Sequence, residues 1–252
     1  MKLFDLSGKA ALVTGGNGGI GRGIALALAE AGAKVCIAGR NDQKNAVVLG
    51  EAEALGATAI AQHCDVNDAD SISATIDATV NAFGGLDILV NNAGIVALNM
   101  PQNMSDEEWT SVVDTNLNSV FRFSRAAYPH LASGGGKIIN IGSMYSIFGG
   151  PMVASYAASK GGVVQLTKSL AVSWAADNIQ VNAILPGWIE SDMTANIETD
   201  LEEMYNAIIA RTPAGRFGTP EELGGAAVFL ASAASDFVTG QSLPVCGGFS
   251  VA

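Results

Sequence analysis

The stretch Val13-Thr14-Gly15-Gly16-Asn17-Gly18-Gly19-Ile20-Gly21 lies between a short apolar run and a segment with helical periodicity. A glycine-rich turn in this position is typical of a dinucleotide-binding α/β fold, because the free N–H groups at a helix start attract phosphate. Gly15 is expected to make the sharp turn, Gly19 to let a pyrophosphate approach the backbone, and Gly21 to let the helix pack on the sheet. The predicted cofactor contacts of this turn are Thr14, Gly15, Asn17, Gly19, Ile20 and Gly21.

Outward from this turn, short apolar runs alternate with longer segments of helical periodicity along the whole chain. The predicted strands are residues 10–13, 34–38, 59–63, 86–91, 137–141, 180–185 and 242–246. The predicted helices are residues 20–31, 43–55, 70–83, 106–131, 153–177 and 220–232. Most of the strands are continuously apolar, which is typical of strands covered on both faces. The pattern predicts a doubly wound α/β Rossmann fold, with a parallel seven-stranded sheet and helices on both faces.

Composition narrows the class of protein. The chain has 252 residues, 49% of them hydrophobic, and no linker or repeat, which predicts a single domain over residues 1–252. A net charge of −11 without a basic patch argues against nucleic acid as a partner. No apolar stretch reaches the length of a membrane span, and the first residues lack the apolar core of a secretory signal. The cysteines and histidines are widely spaced, so we predict free thiols in the cytoplasm and no metal site.

The segment 188–212 departs from the strand–helix alternation, because an acidic stretch follows the sixth strand. Its apolar residues recur at helical spacing and predict one apolar helical face, made of Met193, Ile197, Leu201, Met204 and Ile208. A surface helix packed on the core would show this pattern too. Because the segment follows the carboxyl end of a strand, where ligands bind in such sheets, we favour a helical substrate lid.

Tyr156 and Lys160 are four residues apart, hence on one face of a predicted helix, and Ser143 stands at the carboxyl end of the preceding strand. Hydride transfer to a ketone leaves an alkoxide that must gain a proton. A free tyrosine has a pKa of about 10, too high for efficient general-base work near neutrality. A nearby Lys⁺ is expected to lower that pKa, and Ser143 to donate a hydrogen bond to the carbonyl oxygen. We therefore predict Ser143, Tyr156 and Lys160 as catalytic residues of an enzyme that interconverts an alcohol and a ketone.

Taken in order, the motifs resemble the short-chain dehydrogenase/reductase family over nearly the whole chain. They are Thr-Gly-x-x-x-Gly-x-Gly at 14–21, Asn91-Asn92-Ala93-Gly94, Tyr-x-x-x-Lys at 156–160 and Pro186-Gly187. The resemblance implies that Asn116 holds a water linking Lys160 to solvent, which makes Asn116 a further catalytic residue. It implies additional cofactor contacts from Asp65, Val66, Asn92, Ala93, Gly94, Tyr156, Lys160, Pro186, Gly187, Ile189, Ser191 and Thr194. It also implies a homotetramer formed through the helices 106–131 and 153–177 and the C-terminal strand.

The end of the second strand bears on the choice of cofactor. An NAD-selective site places a carboxylate there to accept hydrogen bonds from the ribose hydroxyls, but the chain has Gly39 followed by Arg40 and Asn41. A guanidinium suits the 2′-phosphate of NADP, which its planar fork can bind. Gly18 argues the other way, because NADP-preferring relatives often carry a basic residue there. With Arg40 and Asn41 in the predicted cofactor site, we favour NADP(H) over NAD(H).

The substrate is less well defined than the reaction. The predicted substrate-binding residues are Ser143, Tyr145, Met152, Tyr156, Trp188 and Met193. None of them is a Lys or Arg that could bind a carboxylate, which favours a small neutral or cyclic alcohol or ketone. By contrast, the stretches 156–168 and 213–220 resemble the 2-deoxy-D-gluconate 3-dehydrogenase branch of the family, which implies a sugar-acid derivative. Both substrate classes stay open.

Two other functions compete with this interpretation. Related branches reduce 3-oxoacyl thioesters on an acyl carrier protein, but that partner is acidic, and the charge of −11 disfavours docking it. The same fold also serves non-catalytic dinucleotide-binding modules. The presence of Ser143, Tyr156 and Lys160 together argues against a module.

Overall fold

Seven parallel strands form one sheet in the order β3-β2-β1-β4-β5-β6-β7 in the computed structural model, which describes residues 2–195 and 197–252. The strands are β1 (Ala10–Thr14), β2 (Lys34–Gly39), β3 (Ala59–His63), β4 (Ile88–Asn91), β5 (Gly136–Ile141), β6 (Ile179–Pro186) and β7 (Ser242–Val245). The predicted parallel, doubly wound sheet is confirmed, with strand ends that differ from the predicted ones by at most two residues.

Helices cover both faces of this sheet. They are α1 (Gly19–Glu30), α2 (Asp42–Ala54), α3 (Ala69–Phe83), α4 (Asp106–Val113), α5 (Ser119–Leu131), α6 (Ala154–Trp174), α7 (Ile197–Asp200), α8 (Glu202–Arg211) and α9 (Gly224–Ala231). Leu12 and Val13 are neighbours in β1, yet they belong to opposite core clusters because successive strand side chains point to opposite faces. Val13 packs with Ile24 of α1, whereas Leu12 packs on the side of Phe123 in α5. This two-sided burial explains why the central strands are apolar throughout.

Four predicted helical segments differ from the structure, and one of them, 153–177, ends in the 3₁₀ turn Ala175–Asp177. Residues 106–131 form two α-helices joined by a π-helical turn, Asp114–Asn118, and residues 220–232 begin with the 3₁₀ turn Pro220–Leu223. A π turn widens the helix by one residue per turn, which apolar periodicity does not reveal.

The prediction of a single apolar helical face over 188–212 was wrong, because the chain breaks at Leu201 into α7 and α8. Met193, Leu201 and Met204 are exposed, while Ile208 is buried. Asn196, within the predicted lid, and Met1 lie outside the described residues.

The order of the strands places a crevice at the carboxyl ends of β1 and β4. Strands β2 and β3 extend from one side of β1, and β4 to β7 extend from the other, so the winding reverses between β1 and β4. Ligands of such sheets bind outside this reversal point.

Within the described ranges, no helix has the length and apolar character needed to span a membrane. The same residues hold no cluster of His, Cys, Asp and Glu suited to a metal ion.

Candidate active site

The turn after β1 forms a cradle of backbone. Gly15 and Gly19 have positive φ angles of 62° and 47°, which side chains rarely allow. A Cβ on Gly21 would stand 2.1 Å from the Gly15 carbonyl oxygen, so Gly21 allows α1 to approach its own turn rather than the body of the sheet. Gly18 precedes α1 and supplies no capping side chain, which leaves the first N–H groups of the helix for a ligand.

The side chains of Thr14 and Asn92 hold this cradle against β4. The Asn92 amide donates hydrogen bonds of 3.0 Å to the carbonyls of Thr14 and Gly15. The Thr14 hydroxyl accepts from the N–H groups of Asn92 at 3.0 Å and Ala93 at 3.2 Å. Both side chains are therefore bonded to the protein itself, and the structure gives them a role in shaping the cradle.

The end of β2 is filled by amide groups. A Cβ on Gly39 would stand 2.3 Å from Nδ2 of Asn17, which donates to Oδ1 of Asn45 at 2.7 Å. The Asn41 side chain caps α2 by accepting from the Lys44 N–H at 3.0 Å. A carboxylate at position 39 would require the Asn17 side chain to move, so the packing at this point is fitted to glycine.

Arg40 directly follows Gly39, the residue around which these amide groups pack. It is exposed and makes no hydrogen bond or ion pair with any residue that the structure describes. Beyond β3, Val66 is buried, and Asp65 accepts from the Asn67 N–H at 2.9 Å. The uncapped helix start, the glycine cradle and the free guanidinium together fit a phosphorylated dinucleotide.

The groups predicted to be catalytic converge at the carboxyl end of β5. Nζ of Lys160 lies 5.7 Å from the centre of the Tyr156 ring, one helical turn away on α6. It donates a hydrogen bond of 2.7 Å to the carbonyl of Ile141, the last residue of β5. Ser143 follows that strand, and its side chain interacts with Tyr156 so as to lower the pKa of that phenol. The structure thus brings Ser143, Tyr156 and Lys160 together.

Burial shifts the proton affinities of this group. Burial raises the pKa of Tyr156 above its usual value, and the Ser143 hydroxyl opposes the rise. Burial also lowers the pKa of Lys160 to about 8. The expected lowering of the Tyr156 pKa by Lys160 is therefore not found in the protein alone, because burial raises that pKa and the group that opposes the rise is Ser143, not Lys160. A positively charged ligand beside Tyr156 would act in the lowering direction.

Asn116 lies in the π turn, and its side chain forms hydrogen bonds with residues outside that turn. Its Nδ2 donates to the Ile95 carbonyl at 2.9 Å and to the Ser159 hydroxyl at 3.2 Å. Its Oδ1 accepts from the Ile95 N–H at 2.8 Å. Residue chemistry alone suggests an Asn bonded to its own helix, whereas the π turn directs Asn116 towards the loop after β4. A Cβ on Gly94 would lie 3.3 Å from Asn116 Oδ1 and 3.5 Å from Lys160 Nζ, so both groups face this glycine.

Ser146 is a member of the site that the sequence did not reveal. Its hydroxyl accepts from the Ser143 N–H at 3.1 Å and donates to the Lys160 carbonyl at 2.8 Å. It therefore joins the loop that carries Ser143 to the helix that carries Lys160. A capping pattern of Ser143 and Ser146 around the 3₁₀ turn 144–146 is the sequence signal that could have indicated it.

Aromatic rings surround the predicted substrate position. The Tyr145 ring lies 6.2 Å from the Tyr156 ring and 6.3 Å from the Trp188 ring, in edge-on contact with each. Met152 and Met193 are exposed, and Met152 has a left-handed backbone with φ 62°. Burial raises the pKa of Tyr145, while the positive charge of Arg211 opposes it. A guanidinium thus acts on this part of the molecule, although no cation stands among the residues predicted from the sequence.

The loop after β6 closes the other side of the crevice. A Cβ on Gly187, which follows Pro186, would stand 2.7 Å from the Cα of Cys246, so the loop needs a glycine here. The Thr194 hydroxyl donates to the carbonyl of the buried Ile189 at 2.7 Å. Ser191 lies next to the phosphate cradle, 3.3 Å from a Cβ placed on Gly19.

Residues of this loop line a cleft of about 820 Å³. Its lining includes Ser191 and Thr194, together with Tyr205, Arg216 and Phe217. The predicted catalytic residues are absent from the described lining. Two residues predicted to contact the cofactor, Ser191 and Thr194, therefore line the cleft.

A family model described as enoyl-(acyl carrier protein) reductase matches residues 15–250. The chain belongs to the short-chain dehydrogenase/reductase family of oxidoreductases. It is similar to the 2-dehydro-3-deoxy-D-gluconate 5-dehydrogenase of Escherichia coli K12, with 44% identity over 99% of this chain and 98% of the relative. It is also 42% identical to the 3-oxoacyl-acyl-carrier-protein reductase of Vibrio cholerae, over 97% of this chain and 98% of the relative.

Solved structures of short-chain dehydrogenases share the whole fold. A gluconate 5-dehydrogenase from Burkholderia cenocepacia, solved in complex with NADP and tartrate, superposes with a TM-score of 0.94 and 41% identity. The match covers 100% of this chain and 98% of that one. The predicted family and fold class are confirmed by these comparisons.

Proposed function

We propose that the protein interconverts a secondary hydroxyl and a ketone on a sugar acid, using NADP(H). The observation that carries this proposal is the convergence of Ser143, Tyr156 and Lys160 at the carboxyl end of β5, with Nζ of Lys160 5.7 Å from the Tyr156 ring. Asn116 lies behind them, bonded to the backbone of Ile95. In this fold that edge of the sheet is where ligands bind.

Bound nicotinamide supplies or accepts the hydride, and the protein handles the proton. Because its pKa is raised, Tyr156 carries its proton at neutral pH and can donate it to the oxygen of a ketone. Ser143 donates a hydrogen bond to that oxygen and stabilises its developing charge. Lys160, buried and held by the Ile141 carbonyl, supplies a positive charge one helical turn from Tyr156. In the oxidative direction Tyr156 would accept the hydroxyl proton as the phenolate, a form that the positive charges of Lys160 and of the oxidised nicotinamide would favour.

The residues Thr14 to Gly21 would hold the pyrophosphate, and Arg40 the 2′-phosphate of NADP. Support for NADP(H) over NAD(H) comes from Arg40, which is exposed and unpaired among the described residues, and from Asn17, which fills the place of an NAD-type carboxylate. Asp65 and Val66 would lie along the adenine. The loop of Pro186, Gly187, Ile189, Ser191 and Thr194, with Asn92, Ala93 and Gly94, would border the nicotinamide half.

A sugar acid is preferred to a carrier-protein thioester as substrate. Relatives named for gluconate derivatives and for 3-oxoacyl thioesters match about equally well, at 42–44% identity, so similarity alone does not decide between them. The net charge of −11 disfavours an acidic carrier protein, which needs a broad basic docking surface, whereas a small acid needs only one locally positive group. The charge of Arg211 on Tyr145 supplies such a site.

The test is to follow nicotinamide absorbance with NADP(H) and NAD(H) across sugar acids, cyclic alcohols and 3-oxoacyl thioesters. We expect turnover of a sugar acid with NADP, and its loss in Tyr156→Phe with cofactor binding intact. Tyr128→Phe is the matched control, because the Tyr128 hydroxyl donates to Asp177 at 3.0 Å, away from the site. Cofactor binding by the wild type with no turnover of any alcohol or ketone would support a non-catalytic module instead.

Three features beyond the reaction complete the proposal. We propose that 188–212 acts as a lid, supported by its exposed Met193 and Met204. A homotetramer would cover the exposed Trp109, Phe121 and Val172 on α4, α5 and α6, and light scattering at about four times the chain mass would support it. A cytoplasmic location is supported by the three free thiols.

A further inference from the structure

Arg211, the last residue of α8, lies against two aromatic rings. Its guanidinium carbon is 4.2 Å from the centre of the Phe249 ring and 4.8 Å from that of Phe148. The two rings are 6.3 Å apart and inclined at 74°, so they form a corner in which the cation sits. Rings attract a cation through their faces, and this attraction leaves the five N–H donors of the guanidinium available.

The N–H donors of Arg211 have no partner among the side chains that the structure describes. Other arginines bind acids: Arg22 pairs with Glu51 at 2.7 Å and Arg216 with Glu222 at 2.6 Å. Among the side chains that the structure describes, which exclude those of Glu198 and Asp200, none makes a hydrogen bond or ion pair with Arg211. A positioned guanidinium without an internal anion is suited to an external one.

The position of Arg211 relates it to the site of chemistry. Phe148 belongs to the loop that begins at Ser143, and the same loop carries Tyr145, whose ring is 6.2 Å from that of Tyr156. The charge of Arg211 also lowers the pKa of Tyr145, in opposition to burial. The guanidinium is therefore packed on the loop that carries Tyr145, and its charge acts on the Tyr145 phenol.

We propose that Arg211 binds the carboxylate of the substrate while Tyr156 acts on a secondary hydroxyl of the same molecule. The inference rests on the proposed function and adds the residue that selects the substrate class. A sugar acid carries both groups on one short chain, so two separate protein groups can bind it at once. The planar guanidinium can grip the carboxylate through two parallel hydrogen bonds, and the Phe148–Phe249 corner holds it in place.

The experiment compares gluconate with sorbitol, which has the same carbon chain without the carboxylate, in the wild type and in Arg211→Gln. We expect kcat/KM for gluconate to fall roughly 10- to 100-fold in the variant, mainly through KM, because a charge-assisted pair is lost. Turnover of sorbitol should change less than about threefold. Arg211→Lys keeps the charge without the fork, and should fall between the two.

Arg125→Gln is the matched control, since its guanidinium also lies over a ring, 5.2 Å from the centre of Phe121, but on α5. It should leave both substrates unaffected. Equal losses on gluconate and sorbitol in Arg211→Gln would show a packing role for α8 and overturn the proposal, as would no loss on either. Thermal midpoints and NADPH fluorescence establish that each variant is folded.

A separate binding measurement distinguishes this proposal from the proposed function. If the wild type turns over no sugar acid, the proposed function fails, but gluconate binding can still be followed by the thermal shift it produces in the NADP-loaded protein. A shift present in the wild type and lost in Arg211→Gln would support the carboxylate site on its own. Absence of any gluconate shift in the wild type, or an equal shift in both proteins, would overturn it.

Discussion

The hydroxyl of Ser146 donates a hydrogen bond of 2.8 Å to the main-chain carbonyl of Lys160. The same oxygen accepts from the N–H of Ser143 at 3.1 Å. One side chain therefore sets the separation between the loop after β5 and the helix α6. Ser143, which would stabilise the oxyanion, lies on the loop, and Tyr156, which would transfer the proton, lies on α6. A change in the length of the Ser146 hydrogen bonds would therefore displace Ser143 from Tyr156.

Ser146→Ala is expected to lower kcat about tenfold and leave the KM for NADP(H) unchanged, since misplacement of reacting groups affects chemistry more than cofactor binding. Ser146→Thr keeps the hydroxyl and should recover most of the activity. The measurement is steady-state kinetics with a pH profile, in which a displaced Ser143 moves the apparent pKa of Tyr156. Ser173→Ala, which removes a hydroxyl donating to the Ser169 carbonyl at 2.8 Å on an exposed face, is the control. An unchanged kcat and pH profile in Ser146→Ala would contradict the positioning role.

Lys160→Met should stabilise the protein near neutral pH while abolishing turnover. Burial lowers the pKa of Lys160 from 10.5 to about 8, which corresponds to a penalty of about 3 kcal/mol for the charged form. Between these pH values the unfolded chain binds more protons than the folded protein, so stability rises with pH across the window and the penalty applies in full below it. After loss of the Ile141 bond, we expect a net gain of about 1–2 kcal/mol at pH 7.

Urea unfolding of the wild type and Lys160→Met at pH 7 and pH 10 measures this effect. The gain should shrink at the higher pH, because the wild-type lysine is neutral there in the folded protein. Lys168→Met, on the same helix, is the control for removing a lysine charge, because Lys168 is exposed. A variant that loses stability equally at both pH values would show that the bond to Ile141 outweighs the burial of charge.

Arg40→Ala tests the assignment of the 2′-phosphate site. Because a guanidinium–phosphate pair involves charged hydrogen bonds, we expect the Kd for NADPH to rise roughly 10- to 100-fold and that for NADH to change little. Fluorescence titration measures both constants. Arg125→Ala is the matched control, because Arg125 is an exposed arginine of α5 with no ion pair among the described residues. Equal weakening of the two cofactors would refute the assignment.

The sequence predicted those parts of the site that depend on local order. The spacing of Tyr156 and Lys160, the strand end at Ser143 and the glycine turn are local patterns, and the structure brings them together as expected. Asn116 came only through the family resemblance, because the π turn that redirects it leaves no mark on apolar periodicity.

Long-range packing explains what the sequence did not predict. Arg211 meets Phe148 and Phe249 from segments far apart in the chain, and neither ring carries a motif. The raised pKa of Tyr156 has a similar origin, because it comes from burial, which depends on the whole fold. The spacing of Tyr156 and Lys160 in the sequence indicates only a nearby positive charge, which would lower that pKa.

The close packing of Asn17 and Asn45 around Gly39 predicts that a substitution at position 39 alone will not change the cofactor preference from NADP(H) to NAD(H). Gly39→Asp would supply the carboxylate of an NAD site, but its Cβ would meet Asn17 Nδ2 at 2.3 Å and Asn45 Oδ1 at 2.9 Å. To make room, Asn17 must give up its 2.7 Å hydrogen bond to Asn45, at a cost of about 1–3 kcal/mol. We therefore expect Gly39→Asp to weaken both NADPH and NADH, as measured by fluorescence titration.

Removal of the Asn17 side chain should restore the binding of NADH but not that of NADPH. In the double variant Gly39→Asp with Asn17→Gly, the carboxylate gains space and can accept from the ribose hydroxyls, so NADH binding should exceed that of the wild type. NADPH binding should stay weak, because the new carboxylate repels the 2′-phosphate. Gly50→Ala, at a glycine of α2 with no neighbour within 4 Å, controls for the loss of a glycine. If Gly39→Asp alone improves NADH binding, Asn17 yields more easily than its hydrogen bond suggests, and packing at this corner is not what excludes the carboxylate.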